Sequence, residues 1–512
     1  MDDVRAAVSR IRAETTRQTF DHRVAEQADR LRETLAAGAF DSSGFAVGLE
    51  LEVYAVDTEE RLAPLPDSLF VDSAWAREIG RHNVEFNGSP QPFDPAGVAA
   101  QTAELHETVT MAQQALEPTG PTLCFDAMWT IPPQSGSKPY LSAVERGDGI
   151  TVAENMHQAP RYTAMDSVLV DHAAGEISIS VPGATLNFPT ILVESLTTSI
   201  QPHLQIPDSA SFPTYFNNAI RTLGPLLALA TNSPFLPGDL YNRVDDPFQL
   251  VEETPHELRI PIFEQTVNSS GHRKACCPRD IDSPTDIVDR VVEDWTCAPM
   301  LREFEQHDSG VAAAVDPYWE FCQKYGTYWR WIRGIIGGDA VAGTDADTDP
   351  GGSLRIEYRP LPTQPTVEDT LSLHWLTVGL LRGLVATDHP IAELPWRDAH
   401  QGFYNAVENG LAADLAWLTA DGEPTGDPTV IYPELFAIAH QGLVVQGQTE
   451  QEAAALLAPL KHRWERRETP SQWKKARVRD QLAAGASLSE AIAAMQTDYN
   501  RRCRQPIPFA EW

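Results

Sequence analysis

Four short segments alternate apolar and polar residues with a period of two, which is the pattern of β-strands that bury one face. The segments are residues 45–54, 84–90, 200–206 and 354–360. Their polar positions hold Glu50, Glu52, Glu85, Asn87, Gln201, His203, Gln205, Arg355, Glu357 and Arg359. If the four strands share one sheet whose apolar face packs on helices, these side chains line a single surface.

Helical patterns separate and follow these strands. Residues 2–38 predict an N-terminal helical hairpin or one long helix that Gly38 ends. Further helices are predicted over Ala99–Leu116, Tyr215–Ala230, Val367–Ala386, Ala406–Thr419, Tyr432–His440 and Glu450–Arg467. Ser487 and Glu490 form a capping box that opens the last helix. Pro202 argues that the third strand lies at an edge or carries a bulge. The mixture predicts an α+β fold.

The order of these patterns predicts three regions. An N-terminal helical segment covers residues 1–40, and an α+β body covers 41–400 with insertions near 167–195 and 239–325. A helical C-terminal region, 401–512, is expected to pack on the body as a cover. A loop rich in glycine and aspartate spans 334–353, and its length is typical either of a functional lid or of a solvated insertion.

The charge balance is strongly acidic. The 512 residues contain 39 Lys and Arg against 72 Asp and Glu, a net charge of −33, and 42% of the residues are hydrophobic. The field of such a chain argues against nucleic acid and anionic membranes as partners, while the apolar fraction indicates a globular protein. Only six basic residues are Lys. Carboxylates spread along the whole chain indicate a protein adapted to high salt, with an ordinary acidic enzyme as the alternative.

The N-terminal sequence and the cysteines indicate a cytoplasmic protein. The first residues contain no apolar core of a signal peptide, and no apolar run approaches the roughly 20 residues of a membrane span. The six cysteines show no zinc-binding spacing, which fits free thiols in a reducing compartment. The adjacent Cys276 and Cys277 are open to two interpretations, a redox or soft-metal pair or two unpaired thiols.

Common catalytic motifs are absent, but the polar wall has a chemical use. The sequence lacks GxxxxGK[ST], GxGxxG after a strand, HExxH and GxSxG. Asp345, Asp347 and Asp349 begin like a calcium loop, which Pro350 and Ile356 interrupt at the positions that need Gly and Glu. Glutamates on one wall suit Mg²⁺ with nucleotide phosphates, and arginines suit the phosphoryl group in transfer. Each strand alone is also what a half-solvated strand of an acidic protein shows.

Five segments, in order, resemble the glutamate-cysteine ligase superfamily, including the carboxylate-amine ligases. They are Gly48-Leu-Glu50-Leu-Glu52, Val84-Glu85-Phe86-Asn87-Gly-Ser-Pro90, Arg161-Tyr162-Thr-Ala-Met165, Asn232-Ser233-Pro234-Phe235 and Leu354-Arg-Ile-Glu357-Tyr-Arg359 with the following Gln364-Pro365-Thr-Val-Glu368-Asp369. One departure is at Gln201-Pro202-His203, where bacterial relatives carry His-x-His and plant-type relatives carry Gln and Asn. This chain is intermediate, so His203 is either a metal ligand or a nucleotide contact, with a structural histidine as the alternative.

The resemblance implies a glutamine-synthetase-like fold, in which a curved antiparallel sheet forms a funnel with helices outside. It also implies that ATP phosphorylates a substrate carboxylate, and an amine attacks the acyl phosphate. The expected metal ligands are Glu50, Glu52, Glu85 and Glu357, and Arg359 and Arg355 would act in catalysis. His203, Gln201 and Asn232 would contact the nucleotide, and Arg161 and Arg243 would hold the acid substrate.

Several alternatives stay open from the sequence alone. The first is a ligase for glutamate and cysteine that uses ATP and Mg²⁺. The second is the same chemistry on another acid and amine. The third is a non-catalytic relative that binds a nucleotide or an amino acid. The expected partners are small amino-acid substrates, and a homo-oligomer is open.

Overall fold

The computed structural model describes residues 2–71, 74–269, 271–304, 317–341 and 352–512. The helices are α1 (Asp2–Ile11), α2 (Glu14–Ala36), α3 (Pro95–Leu116), α4 (Ser137–Ser142), α5 (Pro160–His172), α6 (Phe212–Ala230), α7 (Pro247–Glu253), α8 (Arg259–Val267), α9 (Thr285–Glu293), α10 (Trp319–Tyr325), α11 (Val367–Ala386), α12 (Trp396–Asn409), α13 (Pro428–Val444), α14 (Glu450–Arg466), α15 (Pro470–Ala483) and α16 (Leu488–Cys503). Short 3-10 helices cover Asp67–Phe70, Ile191–Leu196, Gly238–Leu240, Arg302–Phe304, Pro390–Glu393, Gly410–Ala412 and Phe509–Glu511.

The strands are β1 (Ala46–Val56), β2 (Trp75–Arg77), β3 (Asn83–Asn87), β4 (Gln91–Pro92), β5 (Thr122–Cys124), β6 (Val144–Gly147), β7 (Ile150–Ala153), β8 (Ile177–Val181), β9 (Ala184–Phe188), β10 (Ile200–Ile206), β11 (Ile332–Ile336), β12 (Leu354–Tyr358), β13 (Trp417–Leu418) and β14 (Pro424–Thr425). The calcium-loop sequence at Asp345, Asp347 and Asp349, within the predicted loop 334–353, lies outside the described residues.

The four alternating segments lie in one antiparallel sheet. Its strands follow the order β11-β12-β10-β1-β3-β2 within the described part of the chain, and β4 and β5 also pair with β1. The predicted α+β class and the common sheet are confirmed. The long central strand β1 therefore has β3 on one side and β10 on the other.

The predicted edge position of Pro202 is wrong, because β10 lies between β1 and β12. Pro202 pairs with Leu49 of β1. The ladder between β10 and β12 starts only at His203, opposite Glu357. The pairing shifts by one residue between Ser199, opposite Pro362, and His203, opposite Glu357, so Pro202, which has no N–H to donate, lies at a bulge, the other predicted alternative.

Helices cover the apolar face of the sheet in two layers. Helix α6 contacts β11 and β12, α11 contacts β10, and α12, α13 and α14 pack behind them. Val47, Leu51 and Val53 of β1 are fully buried beneath this layer. A Cβ at Gly442 would lie 1.8 Å from the carbonyl oxygen of Gly379, so glycine is what allows α11 and α13 to approach so closely.

The N-terminal segment forms two helices rather than one long helix. Helix α1 packs on α5, and α2 packs on α9 and α10. Val8, Ile11, Phe20 and Val24 are buried at these contacts. The region 239–325, predicted as a polar insertion, therefore supplies helices that hold the N-terminus.

The C-terminal region is helical, but the sequence pattern misplaces one of its predicted helices. The predicted helix Ala406–Thr419 is wrong, because α12 begins at Trp396 and ends at Asn409. Gly410 follows with φ +54° and stops it. The capping box at Ser487 is confirmed, since its side chain accepts the Glu490 N–H and the Glu490 carboxylate accepts the Ser487 N–H.

A buried polar cluster joins the C-terminal helices to the body. Asp126 accepts hydrogen bonds from Lys474 of α15 and, at 2.6 Å, from Nε2 of Gln496 of α16. Charged groups this deep are tolerated only when they are paired and hydrogen-bonded. No helix within the described ranges combines the length and apolarity needed to cross a bilayer.

Candidate active site

Three carboxylates meet on the polar face of the sheet where β1 and β3 adjoin. Glu50 and Glu52 are two residues apart on β1, so their side chains leave the same face. Glu85 of β3 lies directly opposite Glu52, and Gln201 of β10 lies opposite Glu50. These four residues line a cavity of about 250 Å³, which we term the acidic cavity.

The other half of the wall carries arginines. His203 of β10 lies opposite Glu357 of β12, and Arg333 of β11 lies opposite Glu357 from the other side. Two residues further along β10, on the same face of the sheet, Gln205 lies opposite Arg355 of β12. These residues line a second cavity of about 350 Å³, the glycine-lined cavity. Its remaining walls include Gly48, Gly88, Gly326, Gly337 and Gly338.

The two cavities form one cleft. Glu50, Gly326 and Arg333 line both of them. The predicted glutamates and arginines of the four strands all lie along this cleft. The shared wall predicted from periodicity is therefore present in the structure.

The acidic cavity contains more negative charge than the strands alone supply. Glu78 and Glu194 also line it. Burial and the charge of Glu78 raise the pKa of Glu52 to about 7. Burial, the charge of Glu50 and a hydrogen bond with Glu78 raise the pKa of Glu85 well above its usual range. Burial, with the charges of Glu78 and Glu52, does the same to the pKa of Glu194. A cation among these groups would relieve their repulsion.

The donor set suits Mg²⁺ bound together with a phosphate. Mg²⁺ prefers carboxylate oxygens, keeps several waters and is usually held by one or two carboxylates plus substrate phosphates. Within the described residues, no three His, Cys, Asp or Glu side chains stand in an arrangement that would hold a metal ion. The metal role of Glu50, Glu52 and Glu85 therefore stays a prediction, in which one or two of them would hold Mg²⁺ together with nucleotide phosphates.

Glu357 lies between two arginines. Its Oε2 accepts a hydrogen bond from Nη2 of Arg333 at 2.7 Å, and its Oε1 accepts one from Nη1 of Arg359. Burial alone would raise the pKa of Glu357, but Arg333, Arg359 and His203 together hold it well below its usual range. The sequence predicted a metal ligand here. Glu357 therefore positions two guanidinium groups, and its role as a metal ligand stays a prediction.

A hydrogen-bonded chain connects the arginine half of the wall to the acidic half. Nη1 of Arg359 donates to Oε1 of Gln201 at 2.6 Å, and Nε2 of Gln201 donates to Oε1 of Glu52 at 3.1 Å. The backbone N–H of Ser199 donates to Oε2 of Glu52 at 2.7 Å. Gln201 therefore orients Arg359 and Glu52 together.

Three further predicted residues lie in the cleft. Arg355 lines the glycine-lined cavity, and its Nη2 donates to the carbonyl oxygen of Gly337 at 3.4 Å. Arg161 lines the acidic cavity beside Gly326. Nε2 of His203 lies 3.3 Å from Oε1 of Glu50. His203 is thus placed beside a carboxylate in the cleft.

The structure does not bring Asn232 or Arg243 to the cleft. Asn232 is fully buried, and its Nδ2 donates to Thr363 O and Tyr499 Oη, both at 2.8 Å. It anchors α16 at the end of α6, so the predicted nucleotide contact is corrected to a structural one. Arg243 is exposed in a loop whose backbone bonds to Gly183, outside both cavities.

Sequence reasoning missed several residues of the cleft. Arg333 directly precedes the predicted loop 334–353 and was not among the predicted site residues, although it lies in β11, where it alternates with the buried Ile332, Gly334 and Ile336. Glu78 follows the short strand β2, and Glu194 lies in the 3-10 helix Ile191–Leu196. Neither residue stands in a periodic pattern that would mark it in the sequence. The acidic cavity also contains the aromatic residues Phe263 and Trp329, beside Tyr162 of the segment Arg161–Met165.

Comparison with known proteins adds a family and a fold. The model of glutamate-cysteine ligase family 2 (GCS2) matches residues 46–494. A structure of glutamate-cysteine ligase from Francisella tularensis in complex with AMP is 12% identical, with 91% of this chain and 90% of that chain covered and a TM-score of 0.50. A bifunctional glutathione synthetase from Pasteurella multocida is 14% identical, with 93% and 55% covered and a TM-score of 0.49. No curated protein sequence matches the chain. The likeness to the Francisella structure shows a common fold.

Proposed function

The chain belongs to glutamate-cysteine ligase family 2, and from this premise we propose that it is an ATP-dependent ligase that joins a carboxylate to an amine. The preferred substrates are the γ-carboxyl group of glutamate and the amine of cysteine. The reaction proceeds through an acyl phosphate. The family and the fold support the reaction class, and the substrate pair is our assignment.

One observation carries the proposal. The acidic cavity carries a carboxylate cluster together with two guanidinium groups, those of Arg333 and Arg359, which Glu357 holds. Glu50 and Arg333 also line the glycine-lined cavity, so this cluster borders both halves of the cleft. A phosphoryl-transfer site requires this combination, because cations must offset phosphate charge and fixed donors must stabilise the group in transfer.

The two cavities divide the substrates between them. The glycine-lined cavity is the larger and carries Arg355 and His203, so we assign it to the nucleotide. The acidic cavity carries Arg161, whose guanidinium group suits the α-carboxylate of an amino acid. Arg359 and Arg333 lie where the two substrates would meet.

The proposed chemistry has two steps. A carboxylate oxygen of the acid attacks the γ-phosphorus of ATP, the bond from that phosphorus to the bridging β–γ oxygen breaks, and ADP leaves. The amine nitrogen then attacks the acyl carbon, the bond from carbon to the phosphate oxygen breaks, and phosphate and a proton are released. Arg359 and Arg333 stabilise the charge on the phosphoryl oxygens, and Glu357 fixes both guanidinium groups. One or two of Glu50, Glu52 and Glu85 would hold Mg²⁺, which would offset the charge of the phosphates.

Further parts of the proposal concern the setting of the enzyme. We place it in the cytoplasm of an organism with high internal salt, consistent with its net charge of −33 and six free cysteines. We also propose that the sheet curves into a glutamine-synthetase-like funnel. The oligomeric state, including a homo-oligomer, stays open.

A substrate screen tests the function. Phosphate release from ATP is measured in molar KCl across pairs of amino acids, and the products are identified by mass spectrometry. We expect release that requires both an acid and an amine, highest with glutamate and cysteine, with γ-glutamylcysteine as the product. Arg359→Lys should lose this activity, whereas Arg243→Gln, a surface arginine outside the cleft, should keep it.

The same screen distinguishes the alternatives. Activity with another acid or amine would retain the chemistry and change the substrates. ATP binding without acid-dependent phosphate release from any pair would indicate a non-catalytic relative and would contradict the proposal.

A further inference from the structure

A third cavity, the arginine cavity, lies behind the cleft. Its volume is about 420 Å³, and Arg273, Arg279, Arg290 and Arg330 line it. The chain passes directly from one site to the other, because Trp329 lines the acidic cavity and the next residue, Arg330, lines the arginine cavity. None of the cleft residues discussed above belongs to its lining.

The arginine cavity concentrates positive charge in an acidic protein. Glu293 and Asp294 are the carboxylates in its lining, and Oδ2 of Asp294 is already paired with Nζ of the buried Lys274. Arg273 and Arg279 form no ion pair with any residue that the structure describes. Four guanidinium groups around one cavity are a local concentration of positive charge in a chain of net charge −33.

The guanidinium groups are held in place by backbone and ring contacts. Nη1 of Arg290 donates to the carbonyl oxygen of Arg279 at 2.7 Å, and Nη1 of Arg330 donates to that of Lys274. The guanidinium carbon of Arg279 lies 3.5 Å from the ring centre of Trp396. Carbonyl and ring contacts orient Arg279 and Arg290 without neutralising them, which leaves their charge available to a ligand, whereas Nη2 of Arg330 lies 3.7 Å from Oδ1 of Asp294 in an ion pair.

The cysteines of the cavity do not provide a reactive group. Cys276 and Cys277 are free and belong to the lining. Burial raises the pKa of both thiols, so they stay protonated and unreactive near neutral pH. Of the two interpretations of this adjacent pair, the structure supports unpaired thiols, and the cavity is suited to binding rather than to redox chemistry.

We propose that the arginine cavity binds a small multivalent oxyanion, either a phosphate compound or a polycarboxylate. Guanidinium groups match both because each can donate two parallel hydrogen bonds to a phosphate or a carboxylate. A ligand with several charges can bridge several arginines at once, which a chloride ion cannot do. The aromatic rings of Tyr328 and Trp396 form the walls beside these donors.

Isothermal titration calorimetry tests the proposal with pyrophosphate and with citrate as the two probes. The titrations use the full-length protein at constant ionic strength, in the lowest KCl concentration at which the protein is still folded and shows a melting transition. The compared proteins are the wild type, the double variant Arg273→Gln/Arg279→Gln and the control Arg397→Gln. Arg397 is exposed, lies on the same helix as Trp396 and is outside the cavity lining.

We expect saturable binding of at least one probe, weakened about ten-fold or more in the double variant and unchanged in Arg397→Gln, because two charge-assisted donors are lost. Binding of pyrophosphate alone would identify a phosphate ligand, and binding of citrate alone would identify a polycarboxylate. Arg359→Lys should keep the binding, since Arg359 lies in the cleft.

Three results would overturn the proposal. They are the absence of saturable binding of either probe, equal affinity in the wild type and the double variant, and loss of binding in Arg359→Lys, which would place the anion in the cleft. Melting curves check that each variant is folded. The exposed Arg273→Gln single variant replaces the double variant if the latter does not fold.

Discussion

Glu52 of β1 lies directly opposite Glu85 of β3, and both line the acidic cavity. Like charges in directly opposed positions destabilise an antiparallel pair. Burial and neighbouring glutamates raise the pKa of both carboxyl groups, which is the electrostatic sign of the same repulsion. A pair that costs stability without a bound cation suits a site that a cation completes.

The first prediction follows from this pair. Glu85→Gln should raise the melting temperature of the protein without ligands, because it removes a repulsion of up to about 1 kcal/mol. The same change should weaken the binding of Mg²⁺ with ATP, because a hard anionic ligand is lost. Calorimetry with and without Mg²⁺·ATP measures both effects. Unchanged nucleotide affinity in Glu85→Gln would remove Glu85 from the metal site.

The second prediction concerns Arg359. Arg359→Lys should lower kcat by about 10²-fold, the typical loss for one charge-stabilising donor, with a smaller change in the KM for ATP. The planar guanidinium group of arginine can donate to Glu357, Gln201 and a phosphoryl group at once, whereas the ammonium group of lysine lacks this fixed set of donors. If Arg359 only stiffens the sheet, the melting temperature should fall while turnover per folded molecule stays near that of the wild type. Both quantities are measured on one preparation.

The third prediction is a pH dependence at Asp166. Burial raises its pKa from 3.8 to about 7, although the Ile191 N–H donates to Oδ1 at 2.7 Å. The folded protein therefore binds more protons than the unfolded chain between these two values. The stability that Asp166 supports is complete at low pH and is lost as the pH rises through this window.

Asp166→Asn keeps the acceptor for Ile191 and removes the titration. The difference in melting temperature, variant minus wild type, should therefore increase from pH 4 to pH 8, by an amount that corresponds to a few kcal/mol. Differential scanning calorimetry across this range, at constant ionic strength, measures it. A difference that does not change with pH would show that Asp166 does not titrate in this window.

The fourth prediction is a salt requirement. The net charge of −33 and the scarcity of lysine create repulsion that salt screens. The melting temperature should rise from about 0.1 M to about 2 M KCl, as the Debye length falls below about 3 Å. A melting temperature that stays level or falls over this range would exclude the adaptation to high salt.

Local sequence patterns predicted the parts of this protein whose structure depends on near neighbours. The period-two alternation around Glu50 and Glu52 predicted β1 and the face its polar side chains share, because successive residues of a strand point to opposite sides. The apolar run of α11 predicted Val367–Ala386 with both ends correct. Boundaries failed where one backbone conformation decided them, as at Gly410.

Only the tertiary structure decided which side chains meet. Strand order sets Glu85 against Glu52 and places Glu357 between Arg333 and Arg359, and no spacing along the chain encodes those distances. The same is true of Arg273 and Arg279, which reach one cavity with residues of two distant helical segments. Sequence by itself determined which residues face the cleft side of each strand, since that depends on local geometry. Their partners and their pKa shifts were decided by the fold, because burial and opposed charges arise only when distant segments pack together.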